Sequence, residues 1–325
     1  MFFRGELILR IAILGVGSIG SLFAARISET DADLVLYSRG GHGELLATQG
    51  LLFNTIDGSS IHIDPERWVV VEGDITSPLF GCADVAIICG KSHSTSILAN
   101  VAEQLLRPNG IAISIQNGLG HAERLVARIG RHSVLAGSTT HGAMRVGPGE
   151  VTWTGLGSIK IASLNDSELV PGDSRVMKFL NLLEDAGLNP EWEFDADNML
   201  WHKLLLNIAI NPLAAICGVR NGELLVNPDL HDQALAAMIE AANVAIADGV
   251  DLANFDYQVE LDTVLKATAS NRCSMLQDVM AGRVTEIDSL CGEVVRLGEE
   301  YGVPTPLNQQ LLSLIKGIEK STKTG

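Results

Sequence analysis

Gly15-Val16-Gly17-Ser18-Ile19-Gly20 is the stretch that decides the fold, because it places a GxGxxG motif between a strand pattern and a helix pattern. The apolar run at 9–14 predicts a buried strand, and 18–28 predicts a helix with apolar residues three and four positions apart. In this context the first glycine permits a tight turn, the second lets the backbone approach a pyrophosphate, and the third lets the helix pack on the strand. The motif therefore predicts a dinucleotide-binding unit.

The end of the second predicted strand indicates which dinucleotide fits. An NAD-selective site carries an acidic residue about 20 positions after the motif, where it bonds the ribose 2′-hydroxyl. Here the strand at 33–37 leads into Ser38 and Arg39, which offer a hydroxyl and a guanidinium. A guanidinium suits a 2′-phosphate, so NADP(H) is the expected cofactor. A solvated loop arginine is the alternative.

Two more polar residues follow predicted parallel strands. Lys91 follows the apolar run at 83–89, and Asn117 follows the run at 110–115. Ligands of doubly wound sheets lie outside the carboxyl ends of the strands. Lys91 is therefore a candidate for binding a phosphate or a substrate carboxylate, and Asn117 for binding a nicotinamide or a carbonyl oxygen. A surface charge and an Asn-Gly turn are simpler explanations, and the pattern leaves both open.

The order of strand and helix patterns predicts the architecture. Strands and helices alternate over the first 140 residues or so, which is typical of a parallel sheet covered on both faces. Within this part, 51–71 indicates a β-meander turning at Asp57-Gly58, and 151–162 indicates antiparallel additions to the sheet edge. Five helical patterns follow, at 195–216, 229–248, 257–270, 286–301 and 307–319. We expect an α/β protein: an N-terminal Rossmann-type doubly wound sheet (1–194) and a C-terminal all-α domain (195–325).

The composition limits the classes of function. The chain has 325 residues, 46% hydrophobic and 19% charged, which is enough for two cores. Its formal charge of −16 repels nucleic acids and anionic membrane surfaces, and its longest uncharged run, 204–219, is too short to span a bilayer. Its five cysteines form no CxxC pair, which indicates reduced, buried thiols and no metal site. We expect a cytoplasmic protein without nucleic-acid, membrane or metal partners.

A polar stripe runs along the first helical pattern of the second domain. Lys203, Asn207 and Asn211 recur every four positions among leucines and isoleucines, so they share one helix face. A buried ammonium needs a carboxylate or an anionic ligand, which makes this face a candidate site. A lysine that extends to the surface and two satisfied core amides explain the pattern equally well.

A second polar cluster contains Ser274 and Glu286. Glu286 opens a predicted helix whose following positions are apolar, and Thr285 is the expected N-cap. The carboxylate would either pair with Lys203 or complement the helix dipole. The pattern alone favours the dipole.

Together these motifs resemble the 2-dehydropantoate 2-reductase (ketopantoate reductase) family over nearly the whole chain. The resemblance rests on the order and spacing of GxGxxG at 15–20, Lys91, QNGLG at 116–120, Lys203 with Asn207 and Asn211-Pro212, NGEL at 221–224, SMLQD at 274–278 and TEID at 285–288. It implies an NADPH-dependent oxidoreductase that reduces ketopantoate to D-pantoate in the pantothenate and coenzyme A pathway. A small anionic 2-oxo acid is the expected partner, and apolar helix faces are compatible with a homodimer.

The resemblance also implies residue roles. Lys203 matches the proton donor and Glu286 a glutamate that closes the site from the second domain, so both are expected to be catalytic. Asn117 matches a residue near both nicotinamide and substrate. The implied substrate-binding residues are Asn117, Asn207, Asn211, Asn221 and Ser274. The implied cofactor-binding residues are Gly15, Val16, Gly17, Ser18, Ile19, Gly20, Ser38, Arg39, Lys91, Asn117, Ala143 and Glu286.

Two departures from the family pattern bear on substrate fit. After Lys91 the family continues toward a glutamine, whereas this chain has Ser92-His93-Ser94. The serine pair expected before Met-Leu-Gln-Asp is here Cys273-Ser274. The alternatives are an NADP-dependent reductase of another small 2-oxo acid and a non-enzymatic NADP(H)-sensing protein. A sensor would not need the lysine proton donor.

Overall fold

The computed structural model describes residues 8–321, which fall into two units. One unit contains the chain up to Gln116 together with His121–Ala196. The other contains Asn117–Gly120 and the chain from Asp197 onward. The short segment Asn117–Gly120 thus interrupts the first unit and packs with the second.

The main sheet of the first unit has eight strands. They are β1 (Arg10–Leu14), β2 (Asp33–Tyr37), β5 (Trp68–Val71), β6 (Ala83–Ile88), β7 (Leu106–Ser114), β8 (Val134–Thr139), β11 (Ile159–Ser163) and β12 (Pro190–Glu193). Their order is β5-β2-β1-β6-β7-β8-β11-β12; the first six are parallel, and β11 runs antiparallel to β8. Six parallel strands in this order form the sheet of a Rossmann-type fold, so the predicted fold class is confirmed.

Helices cover this sheet. They are α1 (Ser18–Ser28), α2 (Gly40–Thr48), α3 (Thr95–Leu105), α4 (His121–Ile129) and α5 (Ser174–Asp185). The central strands are apolar throughout, as strands buried on both faces must be, and Ile13 and Ile87 are fully buried. The sequence did not predict α2, because its segment GGHGELLAT contains three glycines and has low helix propensity.

Four strands form a second, smaller sheet in the first unit: β3 (Leu51–Asn54), β4 (Ser60–Ile63), β9 (Gly142–Gly147) and β10 (Glu150–Gly155), in the order β4-β3-β10-β9. The predicted meander is therefore wrong at β5, which pairs with β2 in the main sheet. The predicted edge additions are wrong at β10, which pairs with β3. Strand patterns show which residues are buried but not which strand is the partner. The turn at Asp57-Gly58 is confirmed, with a φ of +85° at Gly58.

Helices build the second unit. They are α6 (Ala196–Cys217), α7 (Asn221–Val226), α8 (Pro228–Ala247), α9 (Tyr257–Ala267), α10 (Ser274–Met280), α11 (Cys291–Tyr301) and α12 (Pro306–Ser321). The helix predicted from residue 286 begins only at Cys291, because Leu290 has a non-helical backbone (φ −102°, ψ −100°). Glu286 therefore precedes a short 3₁₀ turn, Ile287–Ser289, and does not open a long helix.

The helix α6 contributes many residues to the core of the second unit. By length and composition it is the one helix among the described residues able to cross a membrane, yet Leu205, Ile208 and Ala209 are fully buried in the protein core. At its end Cys217 is exposed, so the prediction that all thiols are buried is wrong at this position.

Candidate active site

The phosphate loop has the geometry that its glycines predict. Gly15 has a φ of +83°, and a Cβ there would lie 2.4 Å from the Cα of Gly90. A Cβ on Gly20 would lie 3.0 Å from the carbonyl oxygen of Gly15, so helix and turn are in close contact. A Cβ on Gly17, in contrast, would meet no described atom within 4 Å, and no described side chain caps the N-terminus of α1. The loop thus offers space and helix N–H groups to a diphosphate.

The end of β2 carries both a cation and a carboxylate. Ser38 is buried, and Arg39 is exposed at the N-cap of α2. The next residue, Gly40, donates its backbone N–H to Oε1 of Glu72 at 3.1 Å. Glu72 follows β5, the neighbour of β2, and sequence reasoning missed it because only strand pairing brings it to this loop.

The loop after β6 is held by its own side chains. Ser94 donates its hydroxyl to the carbonyl oxygen of Lys91 at 2.6 Å, and Thr95 donates to the carbonyl oxygen of Ser92 at 2.8 Å. The departure Ser92-His93-Ser94 therefore fixes the backbone that carries Lys91. Lys91 itself is half-buried.

The amide of Gln116 connects this loop to the end of β7. Its Nε2 donates to the carbonyl oxygen of Gly90 at 2.6 Å and lies 3.0 Å from Oγ1 of Thr95, which also contacts Nδ1 of His121 at 3.1 Å. Gln116 is buried and directly precedes Asn117. Sequence reasoning quoted Gln116 only as part of a motif and gave it no role.

Ala143 lies on β9, beside the phosphate loop. Two residues further on, Arg145 donates its backbone N–H to Oγ of Ser18 at 3.2 Å. The small sheet thereby holds the first turn of α1. Arg145 is also exposed, and this cation near the loop was not predicted from the sequence.

Lys203 and Glu286 interact in the second unit. Burial among apolar side chains lowers the pKa of Lys203 to about 8, and the Glu286 carboxylate opposes part of this shift. Glu286 is buried and accepts a hydrogen bond from Nδ2 of Asn117 at 3.1 Å. The dipole interpretation of Glu286 is therefore wrong, because this carboxylate faces a lysine and an amide. The structure brings these three predicted residues together.

Two amides of the second unit carry buried polar atoms without partners. Among residues 8–321, Nδ2 of Asn207 and Oδ1 of Asn221 are buried and meet no hydrogen-bond partner. The other end of the Asn221 amide is engaged, since its Nδ2 donates to Oγ1 of Thr268 at 2.9 Å. A buried unsatisfied polar atom is costly, so both positions call for a ligand. Asn207 offers a donor and Asn221 an acceptor.

Asn211 and Ser274 are linked through Cys273. The Cys273 thiol accepts the backbone N–H of Leu276 at 3.4 Å, which caps α10, and donates to the carbonyl oxygen of Asn211 at 3.6 Å. Asn211 is buried, and Ser274 is exposed at the first position of α10. The departure at Cys273 therefore serves as the helix cap, and burial raises the pKa of its thiol to about 11.

The described residues include no group of three or more His, Cys, Asp or Glu side chains able to hold a metal ion.

Comparisons with known proteins identify the family. A family model described as "Ketopantoate reductase PanE/ApbA" matches residues 11–166, and one described as "Ketopantoate reductase PanE/ApbA C terminal" matches residues 195–319. The chain belongs to the ketopantoate reductase family. As a ketopantoate reductase family member it is an oxidoreductase that acts on a CH–OH/C=O pair with a nicotinamide cofactor. The resemblance stated from the motifs is confirmed.

Curated relatives extend along the whole chain. The 2-dehydropantoate 2-reductase of Archaeoglobus fulgidus is 32% identical over 314 residues, covering 95% of this chain and 98% of that protein. The enzyme of the same name from Vibrio cholerae is 29% identical over 313 residues, covering 96% and 99%.

Solved structures share the fold. A PanE/ApbA family ketopantoate reductase from Ralstonia eutropha JMP134 has a TM-score of 0.83 at 25% identity, covering 97% of this chain and 100% of that one. D-mandelate dehydrogenase with NADH and anilino(oxo)acetate has a TM-score of 0.87 at 24% identity, with the same coverage. At that identity the second likeness concerns the fold alone.

Proposed function

We propose that this protein reduces ketopantoate to D-pantoate with NADPH, and that Lys203 donates the proton. The first unit would bind the dinucleotide and the second unit the 2-oxo acid. The product would enter the synthesis of pantothenate and coenzyme A. Support comes from the family membership and from the polar groups around α6.

One observation carries the proposal. A lysine whose pKa is lowered toward neutrality faces a buried carboxylate, and in the same unit one amide donor, four positions further along α6, and one amide acceptor lack partners. A 2-oxo acid with a hydroxyl group would supply a hydrogen-bond partner for each of these groups. Its carboxylate accepts from Asn207, its hydroxyl donates to Asn221, and its carbonyl oxygen meets the Lys203 ammonium. Asn211 and Ser274 would add neutral donors to the carboxylate.

The reaction requires a proton at the right oxygen. Bound NADPH supplies a hydride to the carbonyl carbon, so negative charge builds on the carbonyl oxygen. The Lys203 ammonium stabilises this charge and transfers its proton, which gives the 2-hydroxy acid and leaves a neutral amine that regains a proton from solvent. Glu286 keeps Lys203 charged in an apolar surrounding, and Asn117 orients Glu286 through their hydrogen bond. A positioned general acid typically contributes about 10²–10⁴-fold.

The phosphate loop fits the dinucleotide. Gly17 leaves the space that a diphosphate needs, and the N–H groups of the first turn of α1 face it. Arg39 would pair with the 2′-phosphate, and Lys91 would meet a phosphate or the substrate carboxylate. Val16, Ile19 and Ala143 would contact the cofactor through backbone groups and apolar surface.

Variants of Lys203 test the reaction. We expect Lys203→Ala to lower kcat by about 10²–10⁴-fold while the Kd for NADPH stays unchanged, because the first unit binds the dinucleotide. In the wild type, kcat/KM should fall as pH rises through about 8, where free Lys203 loses its proton. Lys178→Ala, at an exposed lysine of α5, is the matched control. A Lys203→Ala variant with near-normal turnover would disprove the assignment.

The substrate is tested by an analogue without the hydroxyl. We expect ketopantoate to be reduced far faster than 2-oxoisovalerate, because the analogue leaves the buried Oδ1 of Asn221 unpaired. Asn221→Leu should narrow the ratio of the two kcat/KM values. Equal rates for both acids in the wild type would favour a different small 2-oxo acid as the substrate.

The cofactor preference depends on two opposite charges at the end of β2. We expect Arg39→Ala to lower the ratio of kcat/KM for NADPH to that for NADH, since the variant loses the partner of the 2′-phosphate. Glu72→Gln should raise the same ratio, because it removes a carboxylate from that loop. Steady-state kinetics with both cofactors measures the ratio. The proposal requires that the ratio falls in Arg39→Ala and rises in Glu72→Gln.

A further inference from the structure

The segment that carries Glu286 is held by the last helix. Residues 285–288, here called the Glu286 segment, are irregular until the 3₁₀ turn begins at Ile287. At one end, the backbone N–H of Thr285 donates to Oε1 of Glu319 at 2.7 Å. At the other end, Nζ of Lys316 lies 2.5 Å from Oδ1 of Asp288. Both partners lie on one face of α12, three positions apart.

The position of Glu319 is unfavourable for its own helix. A carboxylate in the last turn of a helix opposes the negative end of the helix dipole. Glu319 nevertheless lies there and accepts from an N–H of another element. A hydrogen bond to an ionised acceptor is roughly twice as strong as a neutral one. The contact therefore offsets the dipole and fixes the backbone one residue before Glu286.

We propose that Glu319 is a positioning residue, which holds the Glu286 segment so that the Glu286 carboxylate faces Lys203. The effect of Glu319 on catalysis rests on the proposed function, in which Lys203 is the proton donor. Glu319 itself touches neither substrate nor cofactor in this proposal. It acts through the backbone of Thr285, which is buried and directly precedes Glu286 in the chain.

Other charged groups surround the segment, and none replaces Glu319. From α10 and the turn after it, buried Asp278 pairs with Arg283, Oδ1 to Nε at 3.0 Å. Among the described residues, the charged side chains of Lys203 on α6 and Lys316 on α12 also face the segment, together with the amide of Asn117. Of these contacts, only the one from Glu319 reaches the backbone directly beside Glu286.

Two variants separate position from charge. Glu319→Ala removes the acceptor, whereas Glu319→Gln keeps an oxygen that can accept the Thr285 N–H without the charge. Glu299→Ala, at an exposed carboxylate of α11, is the matched control. Because Glu319 lies in the final turn of α12, its loss frays that turn at most, and a thermal melt verifies that the core remains folded.

The measurement is the pH titration of Lys203 in the protein without ligand. NMR monitors it through lysine labelled with ¹³C at Cε, and the Lys203→Arg variant assigns the Lys203 signal. The wild type should titrate at about 8. In Glu319→Ala we expect a lower titration midpoint for Lys203, because a displaced Glu286 carboxylate stabilises the Lys203 ammonium less. In Glu319→Gln and Glu299→Ala we expect the wild-type midpoint. In turnover, Glu319→Ala should lower kcat by about tenfold with little change in KM for NADPH.

The outcomes are distinct. An unchanged Lys203 midpoint in Glu319→Ala overturns the inference, and so does an equal shift in Glu319→Gln, since the amide keeps the hydrogen bond. If the midpoint moves as expected but the wild type does not reduce ketopantoate, the positioning role stands and the proposed function fails.

Discussion

The side chain of Gln116 fixes the ends of two neighbouring strands. Its Nε2 donates to the carbonyl oxygen of Gly90, whose Cα lies 2.4 Å from where a Cβ on Gly15 would be. One amide thus supports the backbone under the phosphate loop, and its residue directly precedes Asn117. Because the carbonyl of Gly90 can only accept, the contact depends on a donor at position 116.

Replacing that donor by an isosteric acceptor should weaken cofactor binding. We expect Gln116→Glu to raise the Kd for NADPH by about tenfold at pH 8, because an ionised carboxylate faces the Gly90 carbonyl without a proton. Burial at position 116 raises the pKa of such a carboxyl, so at pH 5 a larger fraction is protonated and donates again, and the deficit should shrink. Fluorescence titration at both pH values measures it.

Ser114→Ala is the control for that titration, since it removes a hydroxyl that donates to Oε1 of Gln116 and accepts the Gln116 backbone N–H, while the donor to Gly90 stays in place. A deficit in Gln116→Glu that is the same at both pH values would show that packing, and not the donated proton, supports the loop.

At the scale of single residues, spacing predicted more than charge did. The steps of four from Lys203 to Asn211 predicted a shared helix face, because helix geometry is local. For Glu286 the pattern favoured the helix dipole over a pair with Lys203, since the break at Leu290 is a backbone feature without a sequence signature. Glu72 and Glu319 were missed, because their roles arise only when distant segments pair.

At the scale of elements, one buried histidine ties two helices to a hairpin. Nδ1 of His42 on α2 accepts the backbone N–H of Gly149 at 2.9 Å, between β9 and β10. The ring proton is therefore on Nε2, which contacts Oγ of Ser21 on α1 at 2.9 Å. Burial, with a smaller contribution from Arg145, lowers the pKa of His42 to about 4.

The buried, neutral His42 should make the stability of the first unit decrease in acid. The unfolded chain binds a proton at His42 below about 6.5, whereas the folded chain resists it down to about 4, so stability falls as pH decreases through that window. The full effect is about 3 kcal/mol at 1.36 kcal/mol per pKa unit. Buried His141, whose pKa is also lowered, adds to the same slope.

We expect His42→Gln to flatten the dependence of the free energy of unfolding on pH between 4 and 6.5, and to lower stability at pH 7 through loss of the Gly149 contact. Urea titrations at several pH values measure both. His132→Gln, at an exposed histidine, should keep the wild-type slope. An unchanged slope in His42→Gln would mean that another group carries the acid sensitivity.

The elements that escaped prediction share a cause. The helix α2 forms from a glycine-rich segment because tertiary contacts, including the one from His42, outweigh its low propensity. The strand β9 exists because β10 pairs with it, and neither strand shows its partner in sequence. Long apolar elements such as β6 and α6 were predictable because burial alone determines their pattern.

At the scale of the whole molecule, an acidic protein is proposed to bind an anionic cofactor. The formal charge of −16 creates a repulsive field for NADPH at long range, while Arg39 and Lys91 are proposed to attract it at short range. Salt screens the two effects differently. The Debye length falls from about 30 Å at 0.01 M to about 10 Å at 0.1 M, so the distant repulsion is lost before the close contacts are.

The association rate of NADPH should therefore rise severalfold between 0.01 M and 0.1 M salt, while its dissociation rate rises as the contact with Arg39 weakens. Stopped-flow fluorescence measures both rates. Arg39→Ala separates the two effects. In this variant the association rate should still rise with salt, because that response comes from the net charge. Its dissociation rate should depend less on salt, because the contact with Arg39 is gone. An association rate that falls with salt would show that local cations, and not the net charge of −16, govern the approach of the cofactor.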